Sequence, residues 1–237
     1  MKDIISAGLT QLDLTGRVPD NAAYQLAEYG RLLLEKNQVM NLTAIREEDK
    51  VARLHMLDCA ALLNVAEFEG KTLIDVGTGA GFPGLPLKIL CPSLSVTLLD
   101  SLGKRVTWLD EVAGRLELQG ITPIHARAEE QSLVKGFRDS FDFATARAVA
   151  DLRLLCELCL PYVKVGGAFL AMKSVDCDEE LETAAHCIKL LGGRVEDCRD
   201  YTIPGTNIVH RVVIVRKVAP TLKGYPRKWA KIQKDPL

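Results

Sequence analysis

No run in the chain approaches the roughly 18 consecutive apolar residues of a membrane-spanning helix, so no membrane association is expected. The opening Met1-Lys2-Asp3 lacks the pattern of a signal peptide, which predicts a cytoplasmic location. The seven cysteines are an odd number, and most sit within apolar segments, which suits a reducing compartment better than a disulfide framework. Cys156-x-x-Cys159 is the only close pair; with no second pair to complete a zinc site, it reads as packing, and no metal is expected. A net charge of −1 gives no global sign of a nucleic-acid partner. There is no internal repeat and no low-complexity segment. What remains is a chain of 237 residues, 48% hydrophobic, long enough for one α/β domain with an extension.

The richest stretch is Leu73-Ile74-Asp75-Val76-Gly77-Thr78-Gly79-Ala80-Gly81-Phe82-Pro83-Gly84, an apolar strand that ends on a carboxylate and breaks into glycines. Such a turn lets a ligand lie on backbone N–H groups, because no Cβ intervenes. The four glycines carry an entropic cost with no evident packing return, so a ligand is the expected reason for them. A second strand, Val96–Leu99, ends on Asp100, where a ribose-binding acid belongs. Gly79-x-Gly81-x-x-Gly84 also fits a dinucleotide fingerprint. Two residues argue against a nicotinamide cofactor. Asp75 has no task beside a pyrophosphate but would welcome a cationic amino group and sulfonium. Pro83 stands where free N–H donors are wanted. No Tyr-x-x-x-Lys pair occurs near the fourth expected strand. The pattern is similar to the S-adenosylmethionine site of class I methyltransferases.

Apolar periodicity predicts helices over about 20–38, with Asp20 as cap, and about 47–66. Strands are expected at Thr72–Val76, Ser95–Leu99, Pro123–Ala126, Phe141–Thr145 and, opened by Gly166-Gly167, Ala168–Met172. Helices fall between them near Leu85–Leu90, Lys104–Leu118 and Asp151–Leu160, with a last one over 178–191. This rhythm argues for a mostly parallel sheet with helices on both faces. Arg194–Tyr201 and Ile208–Val215 have no helix between them and should form a terminal antiparallel hairpin. The expected fold is therefore α/β: a Rossmann-like class I methyltransferase sheet with an N-terminal helical extension. Its expected parts are the extension (1–70), the cofactor-binding core (71–218) and a basic tail (219–237). From Arg211 onward eight basic residues (Arg211, Arg216, Lys217, Lys223, Arg227, Lys228, Lys231, Lys234) face one acid, Asp235, the footprint of a phosphate backbone.

Several islands, in order along nearly the whole chain, resemble the small-subunit ribosomal RNA guanine-N7 methyltransferases, also called glucose-inhibited division protein B. They are Met40-Asn41-Leu42-Thr43-Ala44-Ile45, His55-Met56-Leu57-Asp58, Asp75 to Gly84, Lys104-Arg105, Arg127-Ala128-Glu129, Arg147-Ala148-Val149, Tyr225-Pro226-Arg227-Lys228 and Asp235-Pro236-Leu237. The resemblance implies S-adenosylmethionine as cofactor and 16S ribosomal RNA of the small subunit as partner. It implies cofactor contacts at Gly77, Phe82, Asp100, Ala128, Glu129 and Arg147. Each also has a local reason: backbone approach at Gly77, an apolar wall at Phe82 and ribose binding at Asp100. Ala128 and Glu129 can read adenine, and Arg147 stands at the mouth where methyl meets acceptor. Asn41, His55, Arg227 and Lys228 are the candidates for positioning RNA. The chain departs from the family pattern at Thr78, Lys36, Cys59 and Trp229-Ala230.

The fourth strand, Phe141-Asp142-Phe143-Ala144-Thr145-Ala146, offers neither an Asn/Asp-Pro-Pro-aromatic motif for an exocyclic amine nor a Pro-Cys for a pyrimidine ring. Guanine N7 needs neither, because its lone pair is exposed on the major-groove edge and carries no proton. The alternative to an enzyme is a ribosome-associated protein that binds S-adenosylmethionine or RNA without turnover.

Overall fold

The computed structural model describes residues 1–147 and 150–237; Ala148 and Val149, from the Arg147-Ala148-Val149 island, lie outside the described residues. Three helical segments come first: α1 (Lys2–Gln11), α2 (Ala22–Asn37), and a continuous helical stretch over residues 48–64. That stretch comprises α3 (Glu48–Val51), a π-helical part (Ala52–Leu57), α4 (Asp58–Ala60) and a 3₁₀ turn (Ala61–Asn64). Strands β1 (Thr72–Val76), β2 (Ser95–Asp100), β3 (Ile121–His125), β4 (Phe141–Ala146) and β5 (Val163–Ser174) alternate with helices. These are α5 (Gly84–Leu90), α6 (Gly103–Arg115), α7 (Ala128–Gln131) and α8 (Leu152–Cys159). After α9 (Asp178–Leu190) come β6 (Gly193–Thr202), β7 (Val209–Lys217) and α10 (Trp229–Lys234).

The seven strands form one sheet in the order β3-β2-β1-β4-β5-β7-β6. Neighbours from β3 to β5 are parallel, and β7 runs antiparallel to both β5 and β6. The chain reverses direction across the sheet between β1 and β4, the switch point where α/β folds leave a crevice. Because side chains alternate along a strand, β1 feeds two cores. Leu73 packs with Leu26, Leu33, Leu57 and Leu85 on one face, while Ile74 and Val76 pack with Leu155, Cys156 and Ile188 on the other. Each such leucine or isoleucine contributes about 1.5–3 kcal/mol when fully buried. The N-terminal helices thus share a core with α5 and α6.

Four local expectations changed. α1 was not foreseen. The N-cap of α2 is Asn21, and no side-chain bond caps it, so Asp20 has no capping role. The second helix is wound as a π-helix through Ala52–Leu57. Gly166-Gly167 lie inside β5 rather than ahead of it: the β4–β5 register slips between Phe141 and Phe143. A Cβ on Gly167 would strike the Asp142 carbonyl, so that slip requires a residue without a side chain.

Candidate functional site

After Val76 the chain turns back on itself with φ of +69° at Gly77 and +60° at Gly79, a region that L side chains avoid. The N–H groups of Gly77 and Thr78 both donate to the Leu99 carbonyl at 2.8 and 3.0 Å, which ties the bend to the end of β2. The glycines then divide into two kinds. A Cβ on Gly77 would meet no protein atom within 4 Å, so open space faces it. A Cβ on Gly81 would press on Leu85, Leu109 and the Tyr29 hydroxyl, and one on Gly84 would press on Leu98 and Asp75. Packing therefore explains Gly81 and Gly84, contrary to the expectation that none of the four is needed for it.

Asp75 builds this bend from beneath. It is fully buried, and its Oδ2 accepts from the Thr78 hydroxyl at 2.7 Å and from Gly84 N–H at 2.9 Å. It does not line the cavity described below, so direct contact with a ligand cation gives way to a scaffolding role. Its Oδ1 is buried without a hydrogen-bond partner. Burial pushes its carboxyl up to about 6, against the pull of Thr78 and Gly84.

Asp100 closes β2 and is only 4% exposed. Its Oδ2 accepts from Gly79 N–H and its Oδ1 from Leu102 N–H, both at 2.9 Å, and the Arg105 guanidinium lies 3.5 Å from Oδ2. The glycine bend and the start of α6 are thereby fixed to one carboxylate. A cavity of about 400 Å³ opens here, at the ends of β1, β2 and β3. Gly77, Asp100, Ala128 and Glu129 line it, together with Arg127 and Trp229. Glu129 is buried, and its Oε1 accepts from Arg127 Nε at 2.6 Å. The Ala128 carbonyl is taken by the Tyr162 hydroxyl at 2.6 Å. The open face of Gly77, the carboxylate of Asp100 and the apolar remainder of the wall fit a nucleoside-bearing cofactor.

Phe82 and Arg147 do not line that cavity. They form an adjoining cluster, with the Arg147 guanidinium 4.6 Å from the Phe82 ring centroid and the His55 ring stacked on Phe82 at 4.5 Å. Arg147 donates to the Leu54 carbonyl at 3.0 Å, to Asp58 Oδ2 at 3.1 Å and to His55 Nδ1 at 2.8 Å. The Leu54 carbonyl belongs to the π-helical part, where the widened turn redirects backbone groups. Asp58, 1% exposed, also accepts at Oδ1 from the Tyr201 hydroxyl and from His210 Nδ1, both at 2.8 Å. Burial raises the Asp58 carboxyl, but the His210 hydrogen bond and the Arg147 charge outweigh it and hold the group below its ordinary value. Sequence reasoning missed Asp58, Tyr201 and His210 as site residues. A carboxylate inside an apolar helical stretch was the one available signal.

Of the four RNA candidates, Asn41 and Lys228 are exposed, whereas His55 is buried and Arg227 half-buried, both engaged in bonds within the chain. Asn37, one turn earlier, shapes the segment by accepting from Leu42 and Thr43 N–H and donating to the Thr43 carbonyl. His55 is 9% exposed and bonded at both ring nitrogens, to Arg147 and to Thr43 Oγ1. Arg227 makes a paired contact with Glu157, which is itself fully buried. Within the basic terminus, Arg211 pairs with Asp178 and Asp200, Arg216 with Glu196, and Lys217 with Asp139. Lys223, Lys228, Lys231 and Lys234 are the exposed remainder.

Because Arg147 can only donate, His55 Nδ1 accepts and the native imidazole is neutral. Burial first, then the Arg147 charge, lowers it from 6.5 to about 3. Below about pH 6.5 the unfolded chain takes up a proton that the native chain refuses until about pH 3, so acidification through this window removes stability. In urea titrations, the stability of wild type relative to His55→Gln should therefore decline steadily as pH falls through that window. Asp75 titrates in the opposite sense in both chains and cancels in the difference. A difference that stays constant would mean that the native imidazole is already charged.

The family model described as "GidB: rRNA small subunit methyltransferase G" matches residues 22–208. A ribosomal RNA small subunit methyltransferase G from Lachnoclostridium phytofermentans is 47% identical over 214 residues, 90% of this chain and 88% of the relative. A protein of the same description from Clostridium botulinum is 44% identical over 219 residues, 92% of each chain. Among solved structures, TYW2 of M. jannaschii, in complex with AdoMet, overlaps with a TM-score of 0.54 at 14% identity, covering 68% of this chain and 75% of that one. TrmN from Thermus thermophilus overlaps with a TM-score of 0.52 at 22% identity, covering 68% of this chain and 48% of that one. Those two show the fold alone: the class I methyltransferase sheet, in the strand order found here. With a matched model across most of its length and near-half identity to full-length relatives, this chain belongs to the rRNA small subunit methyltransferase G family.

Proposed function

We propose that the protein transfers a methyl group from S-adenosylmethionine to N7 of a guanine in 16S ribosomal RNA, in the cytoplasm. The observation that carries this reading is the cavity at the ends of β1–β3, lined by Gly77, Asp100, Ala128 and Glu129, in a chain of this family. Asp100 would hold the ribose hydroxyls, Ala128 and Glu129 the adenine edge, and Gly77 the backbone approach to the methionine end. Phe82 and Arg147, beside the cavity, are assigned to the side where donor and acceptor meet.

The donor supplies an electrophilic methyl group on a sulfonium. N7 bears no proton, so this chain needs no general base; its task is alignment and a controlled electrostatic field. Neutral His55 and ion-paired Arg147 suit that task, because neither is available to accept a proton from substrate. The helical segment 1–70 and the tail 219–237 flank the core 71–218. Asn41 together with Lys223, Lys228, Lys231 and Lys234 offers exposed groups for phosphate contact.

The test is transfer of labelled methyl from S-adenosylmethionine to small ribosomal subunits, with cleavage mapping of 7-methylguanosine in the 16S RNA. One modified guanine is expected. Cofactor binding in calorimetry with no label in the RNA would sink the catalytic reading and leave a binding protein.

A further inference from the structure

We propose that Trp229 is a cofactor-contacting residue, its indole stacking on the purine of the donor and forming the cavity wall contributed by the C-terminal tail. The inference rests on the cofactor reading above and names a residue that reading does not use. Trp229 is the only aromatic side chain among the described residues that line the cavity. A purine there would otherwise meet aliphatic groups such as Val76, Leu99 and Leu158, which fill space but offer no π-face.

The ring is placed by construction. The Arg127 guanidinium lies 5.5 Å from its centroid, and Arg127 Nε also donates to Glu129, so indole, cation and carboxylate form one linked wall. The segment that brings Trp229 here is anchored twice. Arg138 donates to the carbonyls of Thr221, Leu222 and Tyr225. Two residues before the indole, Arg227 grips buried Glu157 of α8 through its Nε and Nη2. Loose tails carry no such fixings. Trp229 itself is half-buried and lines the cavity. Aromatic rings stack on bases through any π-face, and alanine replacement at such contacts weakens binding several-fold to a hundredfold.

The test uses adenosine and S-adenosylhomocysteine as probes, so it does not depend on RNA or turnover. Trp229→Ala should weaken both about tenfold in calorimetry, and by the same factor, because both carry the purine. Trp229→Phe keeps a stacking surface and should stay within about threefold of wild type. Fluorescence gives an independent arm. The other tryptophan, Trp108, is 2% exposed and buried in the core. Saturating adenosine should change wild-type emission and leave Trp229→Phe emission unchanged although the nucleoside binds. In methyl transfer, Trp229→Ala should raise KM for S-adenosylmethionine with kcat preserved, the signature of uniform binding. Wild-type affinity in Trp229→Ala, or wild-type emission blind to saturating adenosine, would overturn the assignment while leaving the cofactor reading intact. Failure of wild type to bind either probe would instead defeat the cofactor reading.

Discussion

Asp100→Ala should lower affinity for S-adenosylmethionine about a hundredfold without unfolding the chain. Hydrogen bonds to a charged group are worth about 1.5–3 kcal/mol each, and every 1.4 kcal/mol is tenfold in affinity. The buried Asp100 carboxylate receives Gly79 and Leu102 N–H and also lines the cavity. Its removal frees the glycine bend as well as deleting the proposed ribose contact. Asp100→Asn retains one acceptor oxygen and should fall about midway, near tenfold. Calorimetry with S-adenosylhomocysteine is the measurement, paired with a melting curve. Binding by Asp100→Ala within about threefold of wild type would remove this residue from the cofactor site.

Asp58→Ala should be the most destabilising single change in the site, by about 3–5 kcal/mol in urea. The carboxylate is the only acidic partner of Arg147 among the described residues, and it also receives Tyr201 and His210. Deleting it leaves the Arg147 charge, 19% exposed, without a counterion. His210 can shed its proton, since its raised pKa comes first from the Asp58 hydrogen bond; Arg147 cannot. The double variant Asp58→Ala with Arg147→Met should therefore regain part of the lost stability. A loss below about 1 kcal/mol in Asp58→Ala would mean that water reaches Arg147 and the pair is dispensable. The same geometry qualifies any activity result at position 147: Arg147→Ala strips support from a buried carboxylate, so its melting temperature must accompany its turnover.

Where order depends on neighbours in sequence, the chain announces its structure. Leu73–Val76 and Val96–Leu99 are largely apolar runs that stop at Gly77 and Asp100, and both emerge as parallel strands with these boundaries nearly unchanged. Ile203-Pro204-Gly205 between two β-rich runs marks the antiparallel hairpin. Order that depends on distant partners is silent. The segment Lys2–Gln11 contains Ser6, Gly8 and Thr10, weak helix formers, and becomes α1 because Ile5 and Leu9 are buried and Gly8 lets Leu57 pack against it. The π-helical turn at Ala52–Leu57 buries Ala52, His55, Met56 and Leu57, and nothing in the residue pattern marks it. Asp58 meets Tyr201 and His210 across 143 and 152 residues, and those two face each other across β6 and β7. No spacing rule links such positions. Trp229 was visible as an odd residue in a basic tail, but only the anchoring of that tail brings it to the cavity.

The bond from the Tyr29 hydroxyl to the Ala80 carbonyl reaches 51 residues along the chain, from α2 into the glycine bend. Beside it, Gly81 packs against the same hydroxyl and against Leu85 and Leu109. The bend therefore borrows its rigidity from a helix upstream of the sheet. A chain trimmed to start at the first strand would not yield a minimal catalytic unit: it would leave the Ala80 carbonyl without its partner, an uncovered notch at Gly81 and a donor loop with no buttress.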